Sequence, residues 1–194
     1  QLSSNWFTVH PSTNVINGSV YDMTLYIQTN DGFNRELSFP VYVGEVSVDD
    51  PLGPDEYGYY LYDSGDTGYD LAPEYDWIEI NPSYGGSGSS LNFSDNGNGE
   101  FNNSITEVDL PFPFSFYGVD YTTITVCSNG FISFGASELE SFRNYPVPGA
   151  GGPSPMVAVF WDDLTTSSNG NVYTYADPDN EYFIVEWSNM RTDN

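Results

Sequence analysis

Two long stretches of strict alternation open the chain. From Val20 to Gln28, Tyr21, Met23, Leu25 and Ile27 fall on one face, with Asp22, Thr24 and Gln28 on the other. After the turn Asn30-Asp31-Gly32, Leu37, Phe39, Val41 and Val43 alternate with Ser38, Pro40 and Tyr42. Period two over runs of this length predicts half-buried antiparallel strands. Pro40 has no N–H to donate, which places it at an edge or a bulge. A shorter strand, Trp6-Phe7-Thr8-Val9, precedes them and closes at His10-Pro11-Ser12.

The rest of the chain is built from shorter runs. Strands are expected at 58–62, 77–80, 105–110, 112–116, 121–127, 131–134, 156–161, 171–175 and 182–187. The pair 121–127 and 131–134 flanks Asn129-Gly130, a strong hairpin signal because both central residues of a type I′ turn need positive φ. Asn169-Gly170 gives a second such signal, between Leu164-Thr165-Thr166 and Val172-Tyr173-Thr174-Tyr175. Met156-Val157-Ala158-Val159-Phe160-Trp161 is apolar on both faces and is expected to be the most buried strand. The best helix candidate is 136–143, two turns at most. Residues 81–103 are rich in Gly, Ser and Asn and form a long loop, of the kind that is usually functional. Short strands at this spacing predict an all-β chain built as a sandwich.

Composition sharpens this outline. The chain has 194 residues, 17% of them aromatic, so it has material for a sizeable core. Three Lys+Arg against 28 Asp+Glu give a net charge of -25, and the three cations are all arginines, Arg35, Arg143 and Arg191. Such a field excludes nucleic acid and anionic lipid as partners, since both need basic patches. Bound divalent cations would relieve the self-repulsion. No apolar run of about 18 residues exists to insert into a membrane. Cys127 is the single cysteine and His10 the single histidine. They exclude an intrachain disulfide, a Ser-His-Asp or Cys-His constellation in the larger unit, and a zinc site of the His/Cys type. The chain is therefore read as non-enzymatic.

Two resemblances follow from these patterns. The run NWFTVHPSTNVINGSVYDMTLYIQT followed by LSFPVYV resembles the second half of a bacterial immunoglobulin-like module. That implies a partial unit over 1–45, with an apolar face to be covered by something else, and a proline- and acid-rich linker at 46–56. The larger region, 57–194, carries LPFPFSFYGVDY, ITVCSNGFISFG, MVAVFWDDL, GNVYTY and YFIVEWSNM in that order. It resembles the β-rich module that follows the catalytic domain in gingipain-type and subtilisin-type secreted bacterial proteases. More distantly it resembles the nidogen-type extracellular domain, matching at Ser128-Asn129-Gly130-Phe131-Ile132-Ser133-Phe134, Ala158 to Asp163, and Gly170, Val172 and Tyr173. The resemblance implies a jelly-roll-like antiparallel sandwich and a non-catalytic structural module of a secreted or cell-surface protein. It also implies further strands after Trp187. The expectation is a sandwich lacking its last strands, which associates through open sheet edges with copies of itself or with neighbouring domains, as in a filament.

The acids offer a second reading, a calcium-dependent module binding carbohydrate or matrix. Asp63, Asp66 and Asp70 lie in DSGDTGYD, Asp95, Asn98 and Glu100 in DNGNGE, and Asp177 and Asp179 in DPDNE. Each spaces oxygen ligands through a turn as hard cations require, although Asp, Asn and Gly also make turns unaided. Asp162-Asp163 either binds metal or caps a turn. The tyrosines of GYYLYDSGDTGYD, with Trp77, offer faces for sugar stacking or fill a core. Sequons at Asn17, Asn92 and Asn102 are glycosylation candidates.

Overall fold

The computed structural model describes residues 8–12, 15–97, 103–147, 149 and 151–193. Strand is the dominant regular structure, and the chain divides into two compact units, Gln1–Asp76 and Trp77–Asn194. The division falls later than the pattern suggested. Residues 46–56, expected as a linker, belong to the first unit together with 57–76.

The first unit carries one hairpin, β1 (Val20–Gln28) and β2 (Asn34–Tyr42), paired without a slip from Val20 opposite Tyr42 to Gln28 opposite Asn34. Pro40 lies on a strand with one neighbour, as its missing donor requires. The apolar face is only half withdrawn from water: Met23, Leu25 and Ile27 are half-buried, while Tyr21, Leu37 and Phe39 stay exposed. The expected strand at 58–62 is a single bridge between Leu52 and Leu61. The Asp50 carboxylate ties the irregular remainder together. It accepts from Asn17 Nδ2 at 3.0 Å, from the Ser47 amide at 2.6 Å and from the Tyr69 hydroxyl. Of the strand expected at 6–9, Trp6 and Phe7 lie outside the described residues, and Thr8 and Val9 are irregular.

The second unit is a sandwich. One sheet runs β4 (Ile105–Phe116), β5 (Val119–Cys127), β6 (Phe131–Phe134), β7 (Met156–Ala158). The other has the order β10 (Phe183–Ser188), β9 (Asn171–Ala176), β3 (Ser89–Ser90). A small ladder joins β8 (Leu164–Thr165) to β11 (Arg191–Thr192). Pairing is antiparallel throughout. Between the sheets Ile124, Val126, Phe134 and Val172 form the core, packed by Val108, Ile132, Val185 and Trp187. On the outer face of the first sheet Cys127 and Phe131 pack with Trp161 into a second core, with Ile105 and Met156 around it. Two faces are therefore buried where β5 meets β6, and each fully enclosed apolar side chain there contributes about 1.5–3 kcal/mol.

Three expectations are corrected by this arrangement. β4 is one strand, not two; its register breaks between Asp109 and Phe114, where Pro111 and Pro113 have no N–H for the ladder. The run 156–161 is not the most buried strand. β7 stops at Ala158 on the edge of its sheet, and Val159 and Phe160 are 68% and 61% exposed. Both amides turn instead to the Gly130 carbonyl, at 3.0 and 3.1 Å, and only Trp161 goes under the sheet. Asn169-Gly170 does not close a hairpin. Ser168 and Asn169 take positive φ in a 3-10 turn, and β8 pairs with β11 while β9 pairs with β10. The segments 77–80 and 136–143 are neither strand nor helix.

Candidate functional site

The β5–β6 connection is the polar centre of the second unit. Cys127 pairs with Phe131 across a three-residue loop, and of its two candidate residues only Gly130 has positive φ, at 79°. The turn is therefore not type I′. It follows the longer connection in which a left-handed glycine closes the loop. Glycine is required for a second reason, because a Cβ there would overlap the Phe160 carbonyl oxygen.

Ser128 and Asn129 are fully buried in this loop. Asn129 Oδ1 accepts from the Leu164 amide at 3.0 Å, Asn129 Nδ2 donates to the Glu140 carbonyl at 3.0 Å, and its own carbonyl accepts from the Asp162 amide at 3.3 Å. Ser128 Oγ donates to Asp95 and accepts from the Ser104 amide at 3.0 Å. The Asp95 carbonyl accepts from the Thr165 hydroxyl at 2.8 Å and the Thr166 amide at 2.8 Å. One side chain thus binds together the hairpin, the covering segment 136–143 and the start of β8. Burial pushes the Asp95 carboxyl above its ordinary range, with Asp193 adding repulsion, while Ser128 and the Gly97 amide oppose the shift. Asp162 accepts from the Asp163 amide at 2.8 Å, a capping contact at the end of the same run.

The other candidate residues are scattered. Asp177 folds the β9–β10 turn, accepting from the Asp179 amide at 3.0 Å and the Glu181 amide at 3.3 Å, with Asp179 exposed. Asp63 and Asp70 are exposed and Asp66 is buried. Asn98, Glu100 and Asn102 lie outside the described residues. Among the described residues no three His, Cys, Asp or Glu side chains converge as a metal centre. Asn92 is an exposed sequon in a left-handed conformation, whereas Asn17 is half-buried and spends its amide on Asp50. Tyr60 points its hydroxyl to Ser19 at 3.3 Å, and the exposed ring pair is Tyr57 with Tyr59, centroids 5.4 Å apart. His10 is exposed. The buried Cys127 thiol is pushed up to about 12 by desolvation, which leaves it inert.

The feature that sequence reasoning missed is an apolar groove of about 500 Å³. Its floor is the inner face of the four-stranded sheet, at Phe112, Phe114, Phe134, Val157 and Val159, and its wall is Tyr182, Phe183 and Val185. The smaller sheet ends at β10, so nothing covers the floor beyond that strand among the described residues. The outer backbone edge of β10 has no ladder partner among them either. A run apolar on both faces at 156–160 was the available signal, since an edge strand needs such a pattern only if its second face meets something.

Comparison with known proteins defines the class. The family described as NIDO related matches residues 83–194, and the chain belongs to that family. Dendrite extension defective protein 1 of Caenorhabditis elegans is 36% identical over 67 residues, which is 34% of this chain and 6% of that protein. The chain therefore spans a small fraction of the relative it matches. No solved structure matches the chain at a significant level. Of the two resemblances drawn for the larger region, the nidogen type is the one the family match bears out, and the protease context finds no support there.

Proposed function

We propose that this chain is a non-catalytic extracellular module, structural or adhesive, which joins its neighbours by strand addition at β10. The carrying observation is the coincidence of a β10 edge that has no ladder partner among the described residues with an apolar groove beside it. An added strand gains main-chain hydrogen bonds from the edge and seats alternate side chains in the groove. Family membership and the dendrite-extension relative support an extracellular setting. Light scattering of the wild-type chain across a concentration series tests this. Association is expected, and Phe114→Lys with Val159→Lys, both at exposed positions, should abolish it. A wild-type chain that stays monomeric throughout sinks the idea.

A second reading, calcium-dependent binding of carbohydrate or matrix, is favoured by the exposed Tyr57–Tyr59 pair in the first unit. Stacked tyrosines offer apolar faces to a sugar ring. Glycan-array binding lost in Tyr59→Ala would support it; an array without binders would remove it.

A further inference from the structure

Asp66 is 3% exposed, and its two carboxylate oxygens are treated unequally. One, Oδ2, accepts from the Asp63 amide at 2.7 Å, while the Asp66 amide donates to the Asp63 carbonyl at 3.1 Å. The other, Oδ1, is enclosed by protein and has no hydrogen-bond partner. A buried carboxylate oxygen without a donor is costly, because hydration is lost and nothing replaces it. A native fold fills such a position with water, a proton or a cation.

The surroundings favour the cation. The Tyr69 hydroxyl donates to Asp50, and the Asp50 and Asp66 carboxylates are both buried. Asp63 brings a second carboxylate to the Asp66 turn, its Oδ1 accepting from the Gly65 amide at 2.6 Å. The chain contains no lysine, and Arg35 is the only arginine before Arg143, so the first unit has almost no cationic side chain to offer in return.

We infer that the Asp66 carboxylate is the anchor of a site for a hard divalent cation, calcium in an extracellular setting, in the first unit. The chemistry suits calcium, which takes oxygen ligands in flexible number and geometry. Because no three acidic side chains converge there, the remaining ligands are of the uncharged kind, main-chain carbonyls and water. A site with so little ligand charge belongs with extracellular modules that bind calcium at about 10⁻⁴–10⁻³ M. It is separate from the groove at β10 and stands whether or not strands add there.

The test is a titration of chelator-stripped chain with calcium chloride, followed by calorimetry and thermal melting. One saturable site and a raised melting temperature are expected, and Asp66→Asn should abolish both while Asp177→Ala leaves both intact. In chelator, Asp66→Asn should melt at or above the wild-type temperature, because it removes an unpaired buried charge. A merely structural Asp66 would lower it instead. Absence of heat and of a melting shift at about 10 mM calcium, well above that affinity range, would overturn the inference. So would an Asp66→Asn chain that binds as wild type does.

Discussion

Two hairpins of this chain, β1–β2 and β5–β6, have the same local grammar and opposite fates. β1–β2 alternates over nine residues on each strand and is in register throughout, yet Tyr21, Leu37 and Phe39 remain exposed. β5–β6 is shorter on its second strand, yet Ile124 to Cys127 and Phe131 are buried, with apolar cores on both faces. Alternation thus reports that a strand has two different faces, not that either face is covered. What covers β5–β6 is supplied by distant segments, β9 and β10 on one face and Trp161 on the other, while Asn129 ties residue 140 and the start of β8 to the turn.

The sharpest test of that contrast is truncation in the doubly covered region. Phe131→Ala removes a fully buried ring packed edge-on to Trp161 at 5.5 Å and should cost about 3–5 kcal/mol, read from the denaturant midpoint of the second unit. Asn129→Ala comes next. It deletes no apolar surface, yet it strands the buried Leu164 amide and releases the Glu140 carbonyl. The expected cost is about 1–3 kcal/mol, with faster hydrogen exchange at Leu164. If Asn129→Ala proved neutral, the turn would be only a register device and the comparison would lose its explanation.

How far this was legible in the sequence follows from the same residues. Strand positions at 121–127, 131–134 and 20–28 were readable because period two and a glycine turn are local signals. The all-β sandwich followed from their spacing. The fate of Val159 and Phe160 was not readable. An apolar run looks identical whether it enters a core or lines an open groove, and only the place where the second sheet ends decides. The buried network of Ser128 and Asn129 was not readable for a related reason: their partners Asp95, Ser104, Glu140 and Leu164 are 11 to 35 residues away. Of the acidic loops, spacing marked all three equally. Burial separates Asp66 and Asp95 from Asp177, which serves its own turn.

Acid should act in opposite senses through Asp50 in the first unit and Asp95 in the second. In the first unit the Tyr69 hydroxyl, followed by the Ser47 amide and then Asn17, holds Asp50 down at about 2 despite its burial. A depressed carboxyl stabilises the fold above its unfolded pKa of 3.8, and that contribution is lost as pH falls from 3.8 toward about 2. In the second unit burial raises Asp95, so its ionised form disfavours the fold, and lowering the pH from neutral relieves that strain until the carboxyl is protonated in both states. Hydrogen exchange against pH should therefore show Tyr69→Phe moving the acid limb of the first unit upward in pH. Asp95→Asn should flatten the profile of the second. Parallel profiles in the two variants would contradict the assignment.

The smallest effect is expected where the strand pattern is clearest. Phe39 lies opposite Met23 in an unslipped ladder but is 46% exposed, so Phe39→Thr puts a good strand former in its place and forfeits only part of a ring's burial. Its cost in the isolated chain should stay within about 0.8–1.5 kcal/mol, half the value of a fully buried ring. A loss of 2 kcal/mol or more, on the order of a core truncation, would mean that the face of β1–β2 is covered in solution. The hairpin would then share the condition of β5–β6, with a cover that comes from outside the described residues.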